Sequence, residues 1–197
     1  MRVLVVGATG LIGTHVVRLL SPEHEVITAS RKGSAVPVDL SDKASIVAMF
    51  DTLGTVDAVI CTAGAAKFAP LSALSDADFE FSLANKLMGQ VNLVRCAAAH
   101  LSQGGSVTLT SGILARHSVE GSAAVSIVNA GVEAFCRSAA LELKGKARVN
   151  AVSPPWVAET LQSMGRNPAD GKPAAVVALA YKRSLTGDIT GQVIDVE

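Results

Sequence analysis

The sequence has no excess of charge: 17 Lys and Arg balance 17 Asp and Glu among 197 residues. No overall field draws the chain to nucleic acid or to an anionic membrane surface, so any phosphate it binds must be held by local groups. Cysteine is scarce, with Cys61, Cys96 and Cys136 widely spaced in apolar runs. That spacing argues against a disulfide framework or a zinc site, leaves no metal in expectation, and suits buried reduced thiols. Long hydrophobic runs are missing as well. The apolar start MRVLVV is too short for a signal peptide, and no later segment approaches the ~20 uninterrupted apolar residues of a membrane span. The expectation is a soluble cytoplasmic protein with neither a membrane nor a nucleic-acid partner.

What the chain does contain is core-forming material, 49% hydrophobic against 17% charged residues, enough for one globular domain over residues 1–197. Short β-branched runs alternate with longer Ala- and Leu-rich segments. Strands are predicted over 2–6, 25–29, 36–38, 57–61, 106–110, 147–151 and 192–196. Helices are predicted over 11–20, 42–53, 76–101, 122–144 and 174–184. Runs such as VLVV and AVIC are apolar throughout rather than alternately, which belongs to a parallel sheet covered on both faces. The fold class is therefore α/β, a doubly wound Rossmann fold, in which ligands sit beyond the carboxyl ends of the strands.

The stretch VLVVGATGLIGTHVVRLL places Gly7, Gly10 and Gly13 between the first strand and the first helix. A tight turn, a close backbone approach to a pyrophosphate and close helix–strand packing each call for one glycine, and the positive end of the helix favours the phosphates. Gly7, Thr9, Gly10, Leu11, Ile12 and Gly13 are the candidate cofactor contacts there. At the end of the second strand VITASRKGS supplies Ser30, Arg31 and Lys32, where a carboxylate would suit the ribose 2′-hydroxyl of NAD. A hydroxyl and a guanidinium suit a 2′-phosphate instead, so the expected cofactor is NADP(H). The alternative is that Arg31 and Lys32 are a solvated loop.

With these motifs in place, nearly the whole chain resembles the short-chain dehydrogenase/reductase family. GATGLIG looks like its glycine motif, VDLSD with Asp39 and Leu40 its adenine-side segment, and CTAGA with Ala63 and Gly64 its Asn-Ala-Gly turn, Thr62 standing for the asparagine. SVTLTSG puts Ser111 in the place of the catalytic serine. RVNAVSPPWVAET resembles the nicotinamide-side segment, with Pro154, Trp156, Val157 and Thr160 as implied contacts. The resemblance implies a seven-stranded parallel sheet and a homodimer or homotetramer built on the two long helices.

The stretch GSAAVSIVNAGVEAF then falls where the family carries Tyr-x-x-x-Lys. Registering on AGVEAF puts Val125 at the tyrosine and Asn129 at the lysine. Valine has no proton to give, and a neutral amide can bond a ribose hydroxyl without favouring phenolate. The single tyrosine, Tyr181, lies on a late helix. Registering on Gly89 in LANKLMGQVNL puts Lys86 at the family's relay asparagine, with Asn85 one residue earlier. Lys86 is either an exposed helix lysine or an ammonium that replaces the missing lysine from the opposite side. His117 supplies an imidazole, a side-chain type suited to acid work, or is a loop histidine beside Arg116 without a role. The segment between Val157 and Pro173 is short, and NPADGKP reads as a loop, which implies a more open substrate side or one completed by a second subunit. The implied activity is hydride transfer between NADP(H) and a small carbonyl or alcohol, with Ser111, Lys86, Asn129 and His117 as candidate catalytic groups. The alternative is a catalytically silent NADP(H)-binding sensor or scaffold.

Overall fold

In the computed structural model, which describes residues 1–196, seven strands form one parallel sheet in the order β3-β2-β1-β4-β5-β6-β7. The strands are β1 (Arg2–Val6), β2 (Glu25–Ser30), β3 (Val36–Pro37), β4 (Val56–Cys61), β5 (Leu101–Thr110), β6 (Ala147–Ser153) and β7 (Val193–Asp195). The crossover from β3 to β4 reverses the strand order beside β1, so a cleft opens past the carboxyl ends of β1 and β4. The Rossmann architecture expected from the continuous apolar runs is the one found.

Alternate residues of each strand feed opposite cores. Leu4, Val6, Val59, Cys61, Val107 and Leu109 pack against α2 (Lys43–Leu53), α4 (Gly89–Ala97) and α5 (Ala123–Glu142). Val3, Val5, Ala58 and Ile60 pack instead against α1 (Leu11–Leu20) and α7 (Ala174–Thr186). Tyr181 of α7 is fully buried, its hydroxyl 2.6 Å from that of Thr110. Helix α5 is long and apolar enough by composition to cross a membrane. Eight of its residues, Asn129 and Glu133 included, are buried against the rest of the chain, as in a core helix.

One expectation is corrected. The helix predicted over 76–101 is three pieces: α3 (Asp76–Ser82), a π-helical turn (Leu83–Met88), and α4, which ends at Ala97. Ser75 and Asp78 close a reciprocal capping box at the start of α3. The amide of Gly89 donates to the carbonyl of Ala84, five residues back, which widens the helix. Leu101 already belongs to β5, whose first residues pair with the start of β4. Apolar periodicity alone runs through both breaks. The span expected to lack cover also holds a short helix, α6 (Ala158–Ser163), and a turn at Pro168–Asp170 capped by Asn167.

Candidate active site

The glycine turn is shaped by contacts that leave no room for a side chain. A Cβ on Gly13 would lie 2.0 Å from the carbonyl oxygen of Gly7, and Gly7 itself has a φ of +86°. Thr62 seals the turn from β4, its hydroxyl 3.1 Å from the carbonyls of both Val6 and Gly7. Its hydroxyl therefore ties the end of β4 to the turn. No side chain caps the N-terminus of α1, which starts beside the cleft-lining Gly10, so its first amides are unclaimed, as a pyrophosphate requires.

That cleft encloses about 580 Å³ and is lined by Gly7, Thr9, Gly10, Ser30, Arg31, Asp39, Leu40, Ala63 and Gly64. Thr62, Lys32, Val38, Ala65 and Asn85 line it too, and none of these five was a candidate contact. Arg31 is exposed and makes no hydrogen bond or ion pair among the described residues. Its guanidinium is free for an anion. Ser30 is different: its hydroxyl donates to the carbonyl of Ala29 at 2.7 Å and accepts from the amide of Thr9 at 3.2 Å. It braces the turn, and its expected donation to a 2′-phosphate is not what the geometry shows. Asp39 accepts from the hydroxyl and the amide of Ser41, which hold its carboxyl below the usual range.

Several candidate contacts lie outside this cleft. Leu11 is exposed on α1, whereas Ile12 and Val157 pack into the core beneath α1 and α7. Their side chains stabilise the fold rather than touch a ligand. Pro154 is buried, its carbonyl accepting from the amide of Ile113. Trp156 and Thr160 follow it on the loop beyond β6 and in α6, on the same side of the sheet as the cleft.

The end of β5 departs most from expectation. Ser111 is 2% exposed, and its hydroxyl lies 3.0 Å from a Glu133 carboxylate oxygen and 3.2 Å from the carbonyl of Asn129. The hydroxyl is turned into the core against α5, so the assignment of Ser111 as the group that polarises a substrate carbonyl is corrected. Glu133 is met in turn by Arg116, 3.7 Å away, which also binds Ser153 and Asp195. Gly112, the next residue, packs on Asn129: a Cβ there would lie 2.9 Å from the Asn129 amide nitrogen.

Asn129 and Lys86 converge on this corner. The Asn129 amide nitrogen is 3.4 Å from the carbonyl of Gly112, and its buried Oδ1 has no partner. Lys86 lays its stem against Gly64, where a Cβ would lie 2.9 Å from Lys86 Cγ, and brings Nζ to 3.3 Å from the carbonyl of Ser111. The lysine keeps some surface along its length while its ammonium is enclosed, without a carboxylate partner among the described residues. Burial pulls its pKa down to about 8. The neighbouring Cys61 thiol, pushed up to about 12 by its own burial, offers no counter-charge near neutrality.

The π-helical turn explains both halves of the Asn85–Lys86 pair. Asn85 Oδ1 accepts from the amide of Ala65 and lines the cleft, whereas Lys86 turns to Ser111. Gln90, fully buried, donates to the carbonyls of Lys86 and Thr110 and accepts from the amide of Thr110. His117 is exposed, its ring without a hydrogen bond to any of these groups among the described residues. It sits on the outside of its loop, so the structure does not bring it to the site. Gln90 and Glu133 escaped sequence reading, although a polar residue amid apolar helical neighbours is the signal each left.

A family profile described as "Enoyl-(Acyl carrier protein) reductase" matches residues 8–195. The protein lin1944 from Listeria innocua superposes over all of both chains with a TM-score of 0.96 and 36% identity. A small-chain dehydrogenase solved in complex with NADPH superposes over all of this chain and 96% of its own, with a TM-score of 0.88 and 30% identity. A hydroxynaphthalene reductase of Aspergillus fumigatus is 30% identical over 132 residues, which are 64% of this chain and 48% of that protein. The chain thus spans about half of that enzyme's length.

Proposed function

The chain belongs to the short-chain dehydrogenase/reductase family, and from that membership we propose that it is an NADP(H)-dependent oxidoreductase acting on a small carbonyl or alcohol with Lys86 as its proton donor. The observation that carries the cofactor reading is the uncapped start of α1, held open by Gly13 against Gly7, with the unpaired Arg31 at the cleft's edge. The amides of Leu11 and Ile12 suit the pyrophosphate, and Arg31 suits a 2′-phosphate by a charge-assisted, two-pronged bond. The orphaned Oδ1 of Asn129 is an acceptor that a ribose hydroxyl would satisfy. The solved relative with NADPH supports the same choice.

When bound, the nicotinamide supplies the hydride. Lys86 holds a proton at Nζ with a pKa of about 8, close enough to neutrality to give it up as charge develops on a carbonyl oxygen. The main-chain carbonyl of Ser111 fixes the ammonium through one of its three hydrogens, leaving the others for substrate. Asn129 and Gly112 wall the same corner. From there Nζ would deliver its proton to the oxygen of a bound carbonyl.

We place the protein in the cytoplasm as a homodimer or homotetramer. The free cysteines and the exposed Ile127 and Leu141 of α5 support that placement. Calorimetry with NADPH and NADH tests the cofactor, with tighter NADPH binding expected. Loss of deuterium from one face of C4-labelled NADPH, on incubation with a carbonyl panel, tests turnover. Tight NADPH binding without any such loss would instead identify a silent binding protein.

A further inference from the structure

Three loops meet past the carboxyl ends of β4, β5 and β6. The loop after β4 carries Phe68, the loop after β5 carries Gly121, and the loop after β6 carries Trp156 and leads through α6 to Arg166. Their contacts are specific. The rings of Phe68 and Trp156 meet edge to face at 6.0 Å and 74°, an arrangement aromatic pairs favour. Gly121, at a φ of +85°, admits the Phe68 ring: a Cβ there would lie 3.1 Å from Phe68 Cε1. The carbonyl of Gly121 also accepts from the amide of Ala69, which ties the first two loops together.

Above this pair sits an unspent cation. The guanidinium carbon of Arg166 lies 5.7 Å from the centre of the Trp156 ring, and Arg166 makes no ion pair and no side-chain hydrogen bond among the described residues. Its neighbour cation Lys67 is by contrast already paired with Asp78 at 3.6 Å. Phe68 is 39% exposed and Met164, two residues before Arg166, is 45% exposed. An apolar, arene-lined shelf therefore stands open beside a positive group that the indole holds in place.

We propose that this shelf is the substrate subsite and that it selects a flat aromatic carbonyl compound, or the corresponding alcohol, bearing an anionic substituent. The arene packs on Phe68 and Trp156, and the anion meets Arg166 through the planar fork of its guanidinium. The proposal rests on the oxidoreductase reading for the identity of the reacting group, but the binding preference stands apart from turnover. A purely apolar substrate would leave Arg166 unused, and an aliphatic anion would leave the ring faces bare.

The probes are 2-naphthoate, 2-naphthamide and cyclohexanecarboxylate, titrated by calorimetry into the full chain with and without NADPH. Trp156 is the only tryptophan in the sequence, so quenching of protein fluorescence by 4-nitrobenzoate reports directly on this shelf. The expected result is that 2-naphthoate binds about tenfold more tightly than either other probe. Arg166→Gln should erase that advantage over 2-naphthamide while leaving 2-naphthamide and NADPH affinity unchanged. Phe68→Leu should weaken both naphthalene probes and spare cyclohexanecarboxylate. Equal binding of the three probes, or an advantage that survives Arg166→Gln, overturns the subsite. Failure to bind NADPH alongside normal 2-naphthoate selectivity would overturn the oxidoreductase reading and leave the subsite standing.

Discussion

The ammonium of Lys86 and the main-chain carbonyl of Ser111 meet at 3.3 Å in the corner between the π-helical turn and the end of β5. The carbonyl steadies the ammonium but brings no counter-charge, and burial of the uncompensated cation favours loss of its proton. In the folded chain the group titrates near 8 against an ordinary value of 10.5. Below pH 8 both folded and unfolded chains hold the proton, and the folded state carries the whole cost of burying it. Between about 8 and 10.5 only the unfolded chain holds it, so stability rises with pH across that window.

Lys86→Met keeps the stem against Gly64 and removes the charge. It should stabilise the protein at pH 7 by about 2 kcal/mol, with the gain over the natural chain shrinking towards pH 10. Urea unfolding at both pH values measures it. The same variant should lower turnover of any carbonyl substrate about 10²- to 10⁴-fold.

Arg31→Gln should weaken NADPH about 10- to 100-fold, the loss of a charge-assisted bond, while NADH changes little. Calorimetry with both cofactors reads the difference. An equal loss for both would mean that Arg31 shapes the loop rather than meets a 2′-phosphate.

Ser111→Ala removes the hydroxyl that faces Glu133 and leaves that buried carboxylate to Arg116 alone. The expected cost is about 1–2 kcal/mol of stability, with turnover held within about threefold. Denaturant curves and steady-state rates on one preparation separate the two effects.

How much of this was legible before folding depends on the residue. The sheet was, because continuous runs such as VLVV and AVIC have few other homes. The glycine turn was too, since three glycines at fixed offsets between a strand and a helix answer three separate steric demands. Ser111 was misplaced because neighbouring residues at a strand end point to opposite sides, and a motif match tolerates a slip of one that the chemistry does not. Lys86 was left between two roles because a straight helix assigns Asn85 and Lys86 fixed directions. Five-residue hydrogen bonding, which the sequence does not announce, gives them others.

Gly13→Ala would set a methyl group 2.0 Å from the carbonyl oxygen of Gly7, closer than packing permits. The turn and α1 must part, so the melting temperature should fall by about 5 °C or more and NADPH binding should be lost. Scanning calorimetry with and without NADPH tests both: the cofactor-induced rise in melting temperature should disappear.

Gln90 grips the π-helical turn with one amide hydrogen while its remaining amide groups hold both main-chain polar groups of Thr110. The widened coil is thereby bolted to the middle of the sheet and not left to breathe. On the proposed reading, an incoming dinucleotide would find the lysine already aimed, and little of its binding energy would be spent on assembling a donor. Where many enzymes trust their reactive groups to a closing flap, the donor proposed here is mounted on the frame.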